Sequence, residues 1–187
     1  HAYDAAKLQG AVTARLGKKG EKLVAIDGKT YDIGEEMCVI ADDSGAIGLG
    51  GVMGGEPTGV SDETVNVFVE AAYFDPIRTA YTGRGLKINS DARYRFERGI
   101  DPASAAPGIE AATQMILDIA GGEASEVIVA GEVPDVSRAY KLDTDRVISL
   151  VGMEIPAEEQ RATLTALSVA TRARSILGRT NTCFSTT

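Results

Sequence analysis

The chain has 187 residues, enough for one domain with a real core and part of another. At 44% hydrophobic and 25% charged its composition is ordinary for a globular protein, and no run of about 18 apolar residues is present, which excludes a membrane-spanning helix. The formal net charge of −8 is a poor match for nucleic acid taken as a whole, so any RNA contact is expected to be local or carried by a partner.

The N-terminus shows no basic segment followed by an apolar stretch, so no signal peptide is expected. The first residue is His1, and the sequence reads as a piece of something longer. Residues 11–50 read as β-rich, with Asp27-Gly28 as a hairpin turn and a second turn around Asp43–Gly45. A glycine-rich stretch follows, with six glycines from Gly48 to Gly59. The segment TVNVFVEAAYF (64–74) predicts a strand. Asp75-Pro76 predicts a helix start, with a stop at Gly83-Arg84-Gly85. Ser90 or Asp91 caps a short helix, and Asp101-Pro102 opens a longer one whose apolar residues Ile109, Ala112, Met115, Ile116 and Ile119 recur at helical spacing up to Gly121. ASEVIVAGEV (124–133) predicts a strand, and Pro134-Asp135 marks a boundary. Residues 138–167 read as strand, helix, Gly152, a Pro156 start and a second helix. From Ser168 the pattern shows neither an amphipathic face nor a strand, and 168–187 reads as disordered or out of frame. The expected class is α+β: mixed β-sheet layers with packed helices over 1–135, followed by the start of a small second α/β domain at 138–167.

Several familiar chemistries fail on spacing. A dinucleotide fingerprint would need Gly where Met53 stands, and a phosphate-binding P-loop would need Gly where Leu23 stands. No nucleophile elbow is present, and the single His is His1, which argues against a Ser-His-Asp arrangement. Cys38 and Cys183 are lone cysteines without metal-ligand spacing, so no metal site is expected, and they fit a reducing, cytoplasmic setting. What remains is the glycine cluster and Glu70. Gly50-Gly51 and Gly54-Gly55 frame Val52-Met53. They would serve either bare backbone approaching a ligand or tight turns packed against another strand. Strand alternation puts Glu70 between Phe68 and Ala72 on a mostly apolar face. A carboxylate there needs a partner or a job. The alternatives are a ligand and an arginine such as Arg93 or Arg95. The arginines of SDARYRFERG are themselves either a phosphate site or, the commoner case, a set of ion pairs within the helix.

The segments HAYD, GGVMGGEPTGVSDET, VFVEAAYFDP and TGRGLKINSDARYRFERGIDP, in that order and spacing, resemble the β subunit of bacterial phenylalanine–tRNA ligase. The resemblance covers the editing domain over 1–135, and ISLVGMEIP resembles the start of the domain that follows it. After Leu167 the family would continue with Gly-Phe, and Ser168-Val169 departs from it. The resemblance implies a cytoplasmic α2β2 enzyme that joins phenylalanine to tRNA(Phe) with ATP and Mg2+, the α subunit holding the synthetic site. It implies that this piece, without a cofactor or metal of its own, hydrolyses tyrosine wrongly attached to that tRNA. By the same resemblance Glu70 reads the tyrosine hydroxyl, and His1 lies near the ester and the terminal adenosine. Ser90 stands where the family commonly has Thr, Ala92 keeps the pocket open, and Gly51, Met53, Gly54 and Gly55 form its backbone wall. The competing reading is a non-catalytic structural and interaction module.

Overall fold

The structure, a computed structural model, describes residues 1–136, 138–167, 170–176 and 179–186. In chain order, β1 (Ala2–Asp4) passes through a 3-10 turn at Ala5–Lys7 into β2 (Thr13–Leu16). β3 (Lys22–Val24) and β4 (Thr30–Asp32) form the hairpin expected at Asp27-Gly28. Gly28 takes φ 75° there, and the Asp27 carboxylate accepts the Lys29 N–H at 3.1 Å. β5 (Cys38–Asp42), β6 (Gly45–Leu49) and β7 (Met53–Gly54) join β2 in an antiparallel sheet of order β2-β5-β6-β7, and β8 (Val67–Val69) pairs with β1.

β5 explains how the core is split. Alternation along the strand sends Val39 and Ala41 into one cluster, with Leu23, Ile33, Leu49 and Val52, and sends Ile40 to the other face, with Tyr3, Ile47 and Phe74. Both faces are therefore covered, which is why Cys38–Ala41 reads as an unbroken apolar run. Ile47 and Leu49 have the same parity yet lie in different clusters. The register shifts between Ile40 and Ala41, which pair with Gly48 and Ala46, so Ile47 is the extra residue of a β-bulge and turns to the Tyr3 side.

The helices start where capping chemistry predicts. α1 (Pro76–Gly85) has proline in its first turn, and Asp75 Oδ1 accepts the Arg78 N–H at 2.7 Å. α2 (Asp91–Phe96) is capped by Ser90. After Asp101 a 3-10 turn at Pro102–Ser104 runs into α3 (Ala105–Ala120), which ends at Gly121 with φ 72°.

The contacts divide the chain into two units, His1–Gly131 and Glu132–Thr187. In the second, β9 (Arg138–Asp143) leads to α4 (Asp145–Val151), to Gly152 in the left-handed conformation, and to α5 (Ala157–Ala166). β10 (Ala170–Ile176) and β11 (Arg179–Thr186) follow, and the sheet has the order β10-β11-β9, antiparallel throughout. The molecule is α+β, with several antiparallel sheets and helices packed beside them.

Three expectations differ from the observed backbone. The strand predicted over 64–74 is confined to Val67–Val69, because its ladder partner β1 has three residues; Val65, beyond it, is 89% exposed. Residues 124–133 form no strand: Ile128 and Val129 are 91% and 80% exposed. Alternation makes a strand only where a second strand takes up its hydrogen bonds. Beyond Leu167, β10 and β11 form where no local pattern announced them: they pair with each other, and β11 pairs with β9, 38 or more residues earlier in the chain. The break from family pattern at Ser168-Val169 lies outside the described residues.

Candidate functional site

The site begins with the register of β1 on β8. Tyr3 stands opposite Phe68 and Ala2 opposite Val69. One step further, His1 and Glu70 exchange main-chain hydrogen bonds: Glu70 N–H donates to His1 O at 2.8 Å, and His1 N donates to Glu70 O at 2.7 Å. Directly opposed residues share a face, and so do residues two apart. His1, Tyr3, Phe68 and Glu70 therefore stand on one side. The rings pack there, His1 against Tyr3 at 4.5 Å between centroids and Tyr3 against Phe68 at 5.9 Å.

Glu70 finds its partner within this face. The Tyr3 hydroxyl donates to Glu70 Oε2 at 2.8 Å. Burial, then the Glu70 charge and its hydrogen bond, push the Tyr3 phenol far above the ordinary tyrosine range, so it stays a neutral donor. The arginine pairing considered for Glu70 does not occur. Arg93 donates to Glu97 at 2.8 Å and to Ile88 O at 2.6 Å, which is the pairing within the helix that such sequences commonly make. Glu70 Oε1 accepts from no donor among the described residues, and Glu70 lines a cavity of about 470 Å3.

Of the residues singled out from the sequence, His1, Gly51, Met53, Gly54, Glu70, Ser90 and Ala92 line this cavity; Gly55 does not. Gly55 N–H donates to Ile47 O at 2.8 Å, and a Cβ there would stand 2.5 Å from that oxygen, so this glycine serves a close approach of two backbones. The other glycines seat rings. A Cβ on Gly50 would stand 2.7 Å from the Phe74 ring, and a Cβ on Gly54 would stand 2.5 Å from His1 Nε2. Gly51 adopts φ 69°, which favours glycine, and its N–H donates to no acceptor among the described residues. Ser90 ties the helix to this loop: its hydroxyl donates to Val52 O at 2.6 Å and accepts the Arg93 N–H at 3.1 Å. One bond caps the helix and the other reaches a loop 38 residues earlier, so Ser90 contributes wall and rigidity. Ala92 presents only a methyl group to the cavity.

The arrangement holds few reactive groups. His1 is the chain's single histidine. Cys38 lies near Gly50 but does not line the cavity, and burial raises its thiol pKa, which opposes a thiolate nucleophile. The cavity instead offers backbone, a ring nitrogen of His1, a carboxylate with one open oxygen, and apolar walls that include Ile40, Phe74 and Phe96. Sequence reasoning did not single out Tyr3 and Phe74. HAYD carries the alternation that puts His1 and Tyr3 on one face, but the Tyr3–Glu70 bond depends on a register 67 residues away.

The family model described as "B3/4 domain" matches residues 1–121. The phenylalanine–tRNA ligase β subunit of Ruegeria pomeroyi is 59% identical over 167 residues, covering 89% of this chain and 21% of that protein. That of Cereibacter sphaeroides is 58% identical over the same shares. The chain thus spans about a fifth of the length of these relatives. A solved N-terminal fragment of the phenylalanyl-tRNA synthetase β-subunit from Pyrococcus horikoshii is similar at a TM-score of 0.38 and 13% identity, covering 99% of this chain and 53% of that one. With the match extending from His1 through the cavity-lining residues to the end of α3, the chain belongs to the B3/4 domain family.

Proposed function

We propose that the chain is a piece of a phenylalanine–tRNA ligase β subunit and that its cavity is an editing site that hydrolyses tyrosine esters of tRNA(Phe). The observation that carries the reading is Glu70: a carboxylate on the wall of a largely apolar cavity, one oxygen held by Tyr3 and the other open. An apolar pocket alone separates tyrosine from phenylalanine by only about a hundredfold, because the two differ by one hydroxyl. A site built to accept a hydrogen bond reverses the preference. Tyrosine satisfies Glu70 Oε1, whereas phenylalanine leaves that oxygen buried and unpaired.

The chemistry is addition of water to the ester carbonyl. The carbon–oxygen bond to the ribose then breaks, and the ribose oxygen takes up a proton. His1 places the water, the unpaired Gly51 N–H meets charge developing on the carbonyl oxygen, and a ribose hydroxyl of the tRNA assists. Ester hydrolysis is downhill, so no nucleotide is needed to drive this step. ATP and Mg2+ serve the ligation reaction, which this reading places on an α subunit within an α2β2 assembly.

The test is release of tyrosine from tyrosyl-tRNA(Phe), with phenylalanyl-tRNA(Phe) alongside. Glu70→Ala is expected to lower the tyrosine-to-phenylalanine selectivity about 10- to 100-fold, the worth of a hydrogen bond to a charged group. Equal loss on both esters would remove Glu70 from specificity. No release by the folded wild-type chain would favour a non-catalytic module.

A further inference from the structure

Tyr3 is a phenol held against the very carboxylate that the proposed function assigns to reading a phenol. Its ring is 2% exposed and packed between His1 and Phe68. Its hydroxyl spends its one proton on Glu70 Oε2 at 2.8 Å. A glutamate side chain has three rotatable bonds, and no arginine, lysine or main-chain N–H holds this carboxylate among the described residues; the Tyr3 hydroxyl alone does. The same ring sets the imidazole of His1 at 4.5 Å, so one buried side chain supports both ends of the cavity's polar equipment.

We propose that Tyr3 is a specificity-positioning residue: its hydroxyl fixes the Glu70 carboxylate with Oε2 occupied and Oε1 presented, so that the site favours esters whose ring carries a hydrogen-bond donor. This rests on the editing reading above and deepens it. With Oε2 occupied, the carboxylate offers one acceptor oxygen at one place. With Oε2 released, it turns among several rotamers, and ordering it again on binding costs part of the hydrogen bond it makes. The effect therefore falls on esters with a phenol and spares the apolar fit of the ring.

Tyr3→Phe isolates the hydroxyl, because it keeps the buried ring and its packing on His1. The experiment measures kcat/KM for tyrosyl-tRNA(Phe) and phenylalanyl-tRNA(Phe) with four full-length chains: wild type, Tyr3→Phe, Glu70→Ala and the double variant, each compared below its own unfolding midpoint. The expected result is a fall of about fivefold in the tyrosine-to-phenylalanine ratio in Tyr3→Phe, the worth of one hydrogen bond. In the Glu70→Ala background Tyr3→Phe is expected to leave the ratio where Glu70→Ala put it, since a positioning residue has nothing left to position. Equal loss on both esters, a ratio that does not move, or the same fivefold fall without Glu70 would each overturn the proposal while leaving the editing reading intact. A ratio that rises would overturn it too, by showing that Tyr3 competes with the substrate phenol. A wild-type chain that releases both esters alike, or neither, would overturn the editing reading and this proposal with it.

Discussion

The imidazole of His1 lies where a side chain at position 54 would begin. A Cβ on Gly54 would stand 2.5 Å from Nε2, and the ring is already held on its other side by Tyr3. Gly54→Ala is therefore expected to push the imidazole out of the cavity. Tyrosyl-ester release should drop at least about tenfold, as misplacement of a reacting group by a fraction of an ångström commonly costs, while far-UV circular dichroism is unchanged. Unaltered release by a folded Gly54→Ala chain would take His1 out of the chemistry. The glycines thus answer to rings inside the molecule, a role the spacing of GGVMGG left open. Glu70 is the converse case. Its apolar neighbours Phe68 and Ala72 marked it in the sequence as a carboxylate that needed a partner. The partner, Tyr3, was hidden because charge pairs with arginine are the contacts that sequence makes easiest to imagine.

At the scale of elements, α2 has six residues and depends on its cap. Ser90 supplies one hydrogen bond to the helix and one to the glycine loop. Ser90→Ala is expected to cost about 1–2 kcal/mol, as N-cap losses do, and urea denaturation with an unchanged m-value is the measurement. The edge of the sheet has its own clasp. Arg15 on β2 donates to both oxygens of Glu21, at 2.9 and 2.5 Å, and the Lys18 N–H adds a third bond at 2.9 Å. The hydrogen bond from Arg15, with the Lys18 N–H and the Arg15 charge behind it and burial opposing, lowers the Glu21 carboxyl to a pKa of about 2. A folded-state pKa below the unfolded value means the folded chain binds the proton less well. The stabilisation is therefore complete above about pH 4.5 and is lost as pH falls towards 2. Glu21→Gln should flatten acid denaturation in that window by about 1 kcal/mol once solvent screening is allowed for. A variant whose acid limb parallels the wild type would show that the clasp contributes nothing. Helix starts were legible in the sequence because a cap and the helix it serves are neighbours in the chain. The extent of β8 and the lack of a strand at 124–133 were not, because a strand is made by its partner.

At the scale of the molecule, charge and length set the expectations. A net charge of −8 opposes a polyanion, and the chain spans about a fifth of the length of its relatives. In 0.15 M salt the chain alone is expected to bind tRNA more weakly than about 10 μM, no better than typical non-specific binding. Fluorescence anisotropy with labelled tRNA(Phe) measures this. Submicromolar binding by the isolated chain would show that a local basic surface overrides the overall charge. Exposed apolar side chains at Met115 and Ile119 on α3, which the helical spacing had placed on one face, lie outside both core clusters. Helical periodicity announces an amphipathic helix, and packing decides whether its apolar face is buried.

The amino-acid sequence by itself determined the α+β class, the starts of α1 and α2, the hairpin turns, and the oddity of a carboxylate beside bare glycine backbone. These follow from interactions between residues close in the chain: caps, turns and alternation. Only the tertiary structure decided that β1 lies on β8 in the register that sets His1 opposite Glu70, that Tyr3 holds that carboxylate, that Gly55 serves the sheet and not the cavity, and that β10 and β11 pair after Leu167. Each of those depends on segments that meet only when the chain closes loops of tens of residues, and no local pattern records which edge a strand will find.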